Sequence, residues 1–489
     1  MGMQQRVIGY LFCFILLLFG SCTHKPGVAD TTGSNYPEEV RAIILNKCAV
    51  SGCHNDLSYN GADGLNLTTW DKMFKGSGTG AVVIPYRPDF SSLCYFANTY
   101  TDLGIALQPT MPVGQPPLSR TEYLAIKNWI TSGAPSAQGA IKFSPTSSAK
   151  KIYVANRLCN VVTVLDAASL LQMRYIDVGS STVKFPYRIK VAADKANWYV
   201  SFFTQSDFVQ QFSTVNDSLV SNINIGLGSW TSFEITSDSK YGYFVDNSNP
   251  GKVVCADLVN GTVLATYTFG GKFIYPTGIA INESLKKLYI GTTTGNFIYS
   301  VNIADPLAPV ISEIPIDGTG TAQYSSSLNP MELLLDAATN NCYIACAGTN
   351  EIRVVNMQGD SVSGIIPVGS APAFMDYSQA LQKLFVSCPD DETTFPGNRG
   401  SVVVIDAQTT TVDKRLNTGY QPYGISADDR LKIVTVVNAN ISSSGPASHH
   451  VSNCGQKNGN VTFIDYNTLE LIPGKRLEVA VFPFGAATK

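Results

Sequence analysis

The chain has 489 residues, 44% hydrophobic and only 15% charged, with 41 glycines, 25 prolines, 23 tyrosines and 23 phenylalanines. At about 150 residues per domain the length suggests two to four units, and the composition excludes a coiled coil, a collagen and a wholly disordered chain in favour of many short strands and tight turns. A net charge of −3 provides no basic surface, so no nucleic-acid partner is expected.

The chain opens with Arg6, an apolar run from Val7 to Gly20 (VIGYLFCFILLLFG) and Ser21-Cys22. One basic residue, a short apolar stretch and small residues at its end make a secretory signal, since a spanning helix wants about twenty apolar residues. The small-small-cysteine ending resembles a bacterial lipoprotein signal, with a chance cysteine in an ordinary signal peptide as the alternative. The resemblance implies that residues 1–21 are removed and that Cys22 is acylated. The body would then be lipid-anchored to a bacterial membrane. No acidic run follows Cys22, which favours the outer membrane facing the periplasm over the cell surface. Residues 22–37 are polar, with Gly27 and Gly33, and read as a flexible tether.

From Glu38 the apolar residues Val40, Ile43 and Ile44 recur at helical spacing and lead into Cys48-Ala49-Val50-Ser51-Gly52-Cys53-His54. Two cysteines followed at once by histidine are the pattern of covalent haem attachment, here with four residues between the cysteines instead of the usual two. Two thiols can add to the two haem vinyl groups, and the adjacent histidine can give a nitrogen to the iron. The same residues could form a Cys48–Cys53 disulfide beside a surface histidine, or a zinc site with Cys94.

Downstream come Gly64-Leu65-Asn66-Leu67, then Val83-Ile84-Pro85-Tyr86-Arg87-Pro88-Asp89-Phe90-Ser91-Ser92-Leu93, then Met111-Pro112-Val113-Gly114. A helix follows from Ser119, with Glu122 completing a capping box and Leu124, Trp129 and Ile130 as apolar contacts, and it ends at Gly133-Ala134-Pro135. Taken in order, residues 38–135 resemble the small, planctomycete-type cytochrome c domains of exported bacterial proteins. The departures are the longer cysteine spacing, Tyr86-Arg87 where that family tends to Gly-Asp, and the extra Cys94. The resemblance implies an all-α domain with one covalent haem c on Cys48 and Cys53, His54 as proximal iron ligand and Met111 as distal ligand. Met111 lies in a loop before proline, so it is not part of a helical core stripe, though a methionine there could also serve as packing. Trp129 is expected to pack against the first helix and the haem edge.

After a linker at 136–147, a pair of short β runs recurs, starting at Lys151, Asn197, Tyr241, Lys287, Asn341, Lys383 and Lys432. Most copies are preceded by a proline-led strand, as at Pro186, Pro276, Pro372 and Pro422; the first copy lacks one, and the chain finishes with a spare, Phe482-Pro483-Phe484-Gly485. If that strand completes the first blade, the ring closes and no sheet edge is left open. Residues 148–489 resemble the YVTN or YncE-like seven-bladed β-propellers. The fold class is therefore multidomain: a small all-α unit followed by an all-β propeller.

Two loops are longer than the rest, 389–399 and 441–454, at equivalent places in adjacent blades. They should lie on one face, where a ligand or protein would dock. Asp390, Asp391 and Glu392 read as a solvated turn in preference to a calcium site. His449 and His450 read as loop polarity in preference to a metal site with Cys454. A Cys388–Cys454 disulfide would pin the two loops, while Cys159, Cys255, Cys342 and Cys346 read as separate buried apolar residues. The leading functional expectation is a membrane-tethered c-type cytochrome that passes single electrons to a redox partner protein, with the propeller as docking or scaffold domain. The alternatives are a haem-linked oxidoreductase with its substrate site on the propeller, and a haem-less surface propeller with a binding role.

Overall fold

The computed structural model describes residues 33–449 and 454–489. Cys22, with the segments expected to be a signal and most of a tether, lies outside the described residues, as does His450. Among the described residues no helix is long and apolar enough to cross a membrane.

Among the described residues the N-terminal part is a small helical unit of four short α-helices: α1 (Glu38–Ile43), α2 (Trp70–Met73), α3 (Ser92–Ala97) and α4 (Arg120–Thr131). The end of α1 runs on through a wider turn, Ile44–Cys48, which delivers the first cysteine. Val40 and Ile44 bury against Tyr123, Ile126 and Ile130 of α4, as their three- and four-residue spacings require. Ser119 and Glu122 form the expected capping box, and Glu122 also accepts from Lys47 at 2.8 Å, tying the two helices together at their ends. Beyond α4 the chain turns at Gly133, whose φ of +101° only glycine adopts readily and where a Cβ would meet the Tyr86 ring at 2.8 Å. Trp129 packs edge-on against Tyr36 and donates its indole N–H to the Pro135 carbonyl.

The larger part is a seven-bladed propeller, seven four-stranded antiparallel sheets whose inner strands pack on one another around an axis. The last strand, Pro483–Thr488, pairs with the first, Lys151–Asn156, and is the inner strand of blade 1. Blades 1 and 7 share a buried core that includes Ile152, Val154, Val437, Val461 and Phe463, so the seam is packed like the other blade junctions. Second and third strands such as Lys151–Asn156 and Ser401–Asp406 are buried along almost their whole length because blades cover both faces. That is why they read as continuous apolar runs. Outermost strands such as Thr262–Tyr267 are largely exposed. The proline-led inner strands share a backbone device: Phe185, Tyr275, Asn329, Ala371, Gln421 and Phe482, each just before proline, have φ between +43° and +62°. A following proline disfavours the right-handed helical region for the residue before it.

The helical unit sits against the outer strands of blades 1 and 7, Leu171–Asp177 and Glu470–Val481. Phe90 stacks on Tyr175 with ring centroids 4.1 Å apart, and Arg87 donates to the Tyr175 carbonyl at 2.7 Å and pairs with Asp177 at 3.2 Å. The Gln172 side chain accepts from Ala81 N–H and donates to the Glu478 carbonyl, while Glu478 N–H donates to the Thr79 carbonyl. Arg87 of the Tyr86-Arg87 pair thus joins Phe90, Ala81 and Thr79 in the contact with the propeller.

Candidate functional site

The helical unit contains a cavity of about 440 Å³, and Cys48, Cys53, His54 and Met111 all line it. Each arrives by a different local device. The four residues after Cys48 fold back tightly: Cys53 N–H donates to the Val50 carbonyl, His54 N–H donates to the Cys48 carbonyl, and Gly52 has φ +81°. The Gly64–Leu67 segment then fixes the histidine, with Leu67 N–H donating to the His54 carbonyl at 2.8 Å and the His54 Nδ1 lying 3.3 Å from the Leu65 carbonyl. Burial holds the His54 pKa below its ordinary value, against the pull of that carbonyl, so the ring is neutral at pH 7. A neutral ring facing a carbonyl through Nδ1 carries its proton there, which leaves the Nε2 lone pair as its acceptor.

Met111 comes from a separate segment, the loop after α3. Its N–H donates to the carbonyl of Phe96 at 2.8 Å, and Asn98 holds the intervening loop through the Gly104 and Ile105 carbonyls. Leu65, Leu67, Leu93, Phe96, Pro109 and Pro112 supply much of the cavity's apolar lining. Cys48 and Cys53 are free thiols, and burial pushes Cys48 up to about 12. The disulfide alternative for this pair therefore does not describe the structure. Among the described residues no three His, Cys, Asp or Glu side chains group as a metal cluster. Cys94 is buried near Tyr123, its thiol also pushed up to about 12 by burial, and it is not in the cavity wall. Trp129 does not line the cavity either; it belongs to the core beneath.

One lining residue comes from the propeller. His449, in the long loop of blade 7, reaches the cavity, and its ring lies edge-on to Phe96 at 5.8 Å. Its N–H donates to the Glu478 carboxylate at 3.2 Å. The sequence offered no signal for this, since the approach depends on how the two units pack.

The disulfide expectation is corrected. Cys454 bonds to Cys159, with Cα atoms 5.4 Å apart, and Cys388 is a free thiol buried between blades. In a closed ring blade 7 has two neighbours, and its long loop reaches the equivalent turn of blade 1, not that of blade 6. Cys255, Cys342 and Cys346 are free and buried, as expected. In the other long loop Asp391 is a structural acceptor. Burial acts to raise its pKa, but hydrogen bonds from Ser401, Thr394 and Thr393 bring it down to about 2, while Asp390 pairs with Arg399.

The propeller axis holds a second cavity, about 510 Å³, lined by the inner strands and carrying the ion pairs Arg188–Glu332 and Lys190–Glu234 together with Asp376. At the starts of the inner strands Tyr187, Phe374, Tyr423 and Phe484 pack ring on ring.

No protein-family model matches the chain, and no curated protein matches it. Among solved structures it is similar to a functionally unknown protein from Desulfotomaculum acetoxidans DSM 771, at 14% identity and TM-score 0.51 over 70% of this chain and 99% of that one. It is also similar to the hydrazine synthase of Kuenenia stuttgartiensis (14% identity, TM-score 0.48, 63% of this chain and 91% of that one). A third is the dihydro-heme d1 dehydrogenase NirN in complex with DHE (12% identity, TM-score 0.48, 92% and 98%). At 14% identity the likeness to the Desulfotomaculum protein bears on the fold alone.

Proposed function

We propose that this protein is a membrane-tethered c-type cytochrome whose propeller serves as docking or scaffold domain. One observation carries the reading: two free thiols, a histidine with one ring nitrogen committed to a carbonyl, and a loop methionine, brought from separate segments, line one mainly apolar cavity. Those residues fit haem c. Cys48 and Cys53 would hold it by thioether bonds, and His54 and Met111 would supply a nitrogen and a sulfur ligand to its iron. Bound there, the haem supplies a one-electron couple, with thioether ligation favouring a higher potential than two imidazoles would. The chain's own part is to orient the imidazole through Leu65, to hold the methionine through Phe96, and to exclude water with Leu65, Leu67, Leu93 and Pro112. Lipidated Cys22 would tether the body to the outer membrane on its periplasmic side, and a redox partner protein would dock on it.

The test is a visible spectrum of protein made in a haem-maturing host. Oxidised wild type should show the weak far-red sulfur-to-iron band, and Met111→Ala should lose it; a wild type with covalent haem but no such band would refute Met111 as ligand. The oxidoreductase reading has the charged axial cavity in its favour. It predicts a small molecule whose binding is lost in Glu332→Gln while the haem spectrum is unchanged.

A further inference from the structure

Met111 and His449 share a neighbour. The methionine hangs from the Phe96 carbonyl at 2.8 Å, and the histidine ring rests on the Phe96 side chain at 5.8 Å. Both line the 440 Å³ cavity that His54 also lines, and His449, though largely exposed, is the residue the propeller contributes to it. Its position is set from both sides of its loop. On one side the His449 N–H is bonded to Glu478, whose own N–H is bonded to Thr79 of the helical unit. On the other the loop is tied to blade 1 through Cys159–Cys454. A surface loop held at two points with an imidazole turned into a neighbouring unit's cavity is more than a polar connection needs.

Resting on the haem reading above, we propose that His449 is a second ligand for the sixth iron position, supplied by the propeller as the alternative to Met111. The distal side then has a choice between a thioether from the helical unit and an imidazole from blade 7. Imidazole lowers the potential relative to thioether, so a movement of the blade 7 loop that brings His449 to the iron in place of Met111, on docking of a partner, would be read at the haem as a change of ligand and of driving force. The electron carrier and the docking domain would thereby be coupled.

The experiment compares ferric spectra and binding of added imidazole in full-length wild type, Met111→Ala, His449→Ala, and the Met111→Ala/His449→Ala double variant. Wild type and His449→Ala should keep the far-red band. Met111→Ala should lose it yet remain low-spin, because His449 fills the vacated position, and the double variant should become high-spin and take up imidazole. Added imidazole should bind Met111→Ala about tenfold or more weaker than the double variant, as follows when an internal ligand fills over nine-tenths of the sites. Met111→Ala combined with His450→Ala should behave like Met111→Ala alone. A Met111→Ala protein that is high-spin, with the imidazole affinity of the double variant, overturns the proposal while leaving the haem reading intact. Opening of the site by His450→Ala in place of His449→Ala overturns it too. Wild type without covalent haem overturns both readings at once.

Discussion

Removing the Asp217 carboxylate should cost as much as a large apolar truncation in the core between blades 1 and 2. Lys151, at the start of the first strand, is fully buried and donates to Asp217 at 2.8 Å and to the Thr214 and Val215 carbonyls at 2.8 and 3.1 Å. Asp217, also fully buried, accepts in addition from Arg174 at 2.6 Å and from the Tyr153 hydroxyl at 3.1 Å. These groups join blade 1 to blade 2 beside the strand that closes the ring. Asp217→Ala leaves an ammonium and a guanidinium without their carboxylate, and breaking a buried pair from one side costs about 3–5 kcal/mol. Burial already holds the Lys151 pKa below the ordinary lysine value, against the pull of Asp217, and the variant loses that pull. The unfolded chain therefore binds more protons than the folded one at alkaline pH, and stability rises with pH there. The deficit of Asp217→Ala should shrink as pH approaches the ordinary lysine range. Adding Lys151→Met to Asp217→Ala should recover much of the loss, because the uncompensated ammonium is gone. Urea unfolding followed by tryptophan fluorescence at several pH values measures all three. A variant within about 1 kcal/mol of wild type, or a double variant no better than Asp217→Ala, would refute the reasoning.

The remaining predictions concern the closed ring, the axis and the contact between units. Non-reducing peptide mapping should recover Cys159 joined to Cys454 and Cys388 as a free thiol; Cys159→Ser should destabilise the chain by about 2–4 kcal/mol, since the bridge spans a long loop. Burial raises Asp376 to about 6, so the folded state holds its proton more tightly than the unfolded one and stability falls as pH rises from about 4 through about 6. Asp376→Asn should remove that component of the pH dependence in thermal melts. Arg87→Ala with Phe90→Ala should loosen the helical unit from blade 1 and speed proteolysis within the 136–150 connection, leaving the circular dichroism of the propeller unchanged.

The propeller was legible because its middle strands are buried on both faces and therefore repeat as short runs of Val, Ile, Tyr and Phe; the unpaired strand at Pro483 even announced the closure. The inner strands Trp230–Ile235 and Pro330–Asp336 went unnamed. The first lacks the leading proline, and the second lies behind an irregular stretch. The cysteines and His54 of the cavity could be read from their adjacency, because each depends on a few local residues; Met111 came only through the resemblance of the ordered segments around it. His449 and the partner of Cys454 could not be read. Both depend on which blade becomes the neighbour of blade 7 and on how the helical unit leans against it, and nothing in local spacing encodes that. Adjacency in sequence pointed Cys454 to blade 6, whereas ring closure offered blade 1.

The most direct test of the central claim is mass spectrometry of the peptide containing Cys48 and Cys53, from protein secreted by a haem-maturing host. The account predicts one haem carried through two thioether bonds, lost stepwise in Cys48→Ser and Cys53→Ser. Two alkylatable thiols, or a Cys48–Cys53 disulfide, in protein from that host would contradict it.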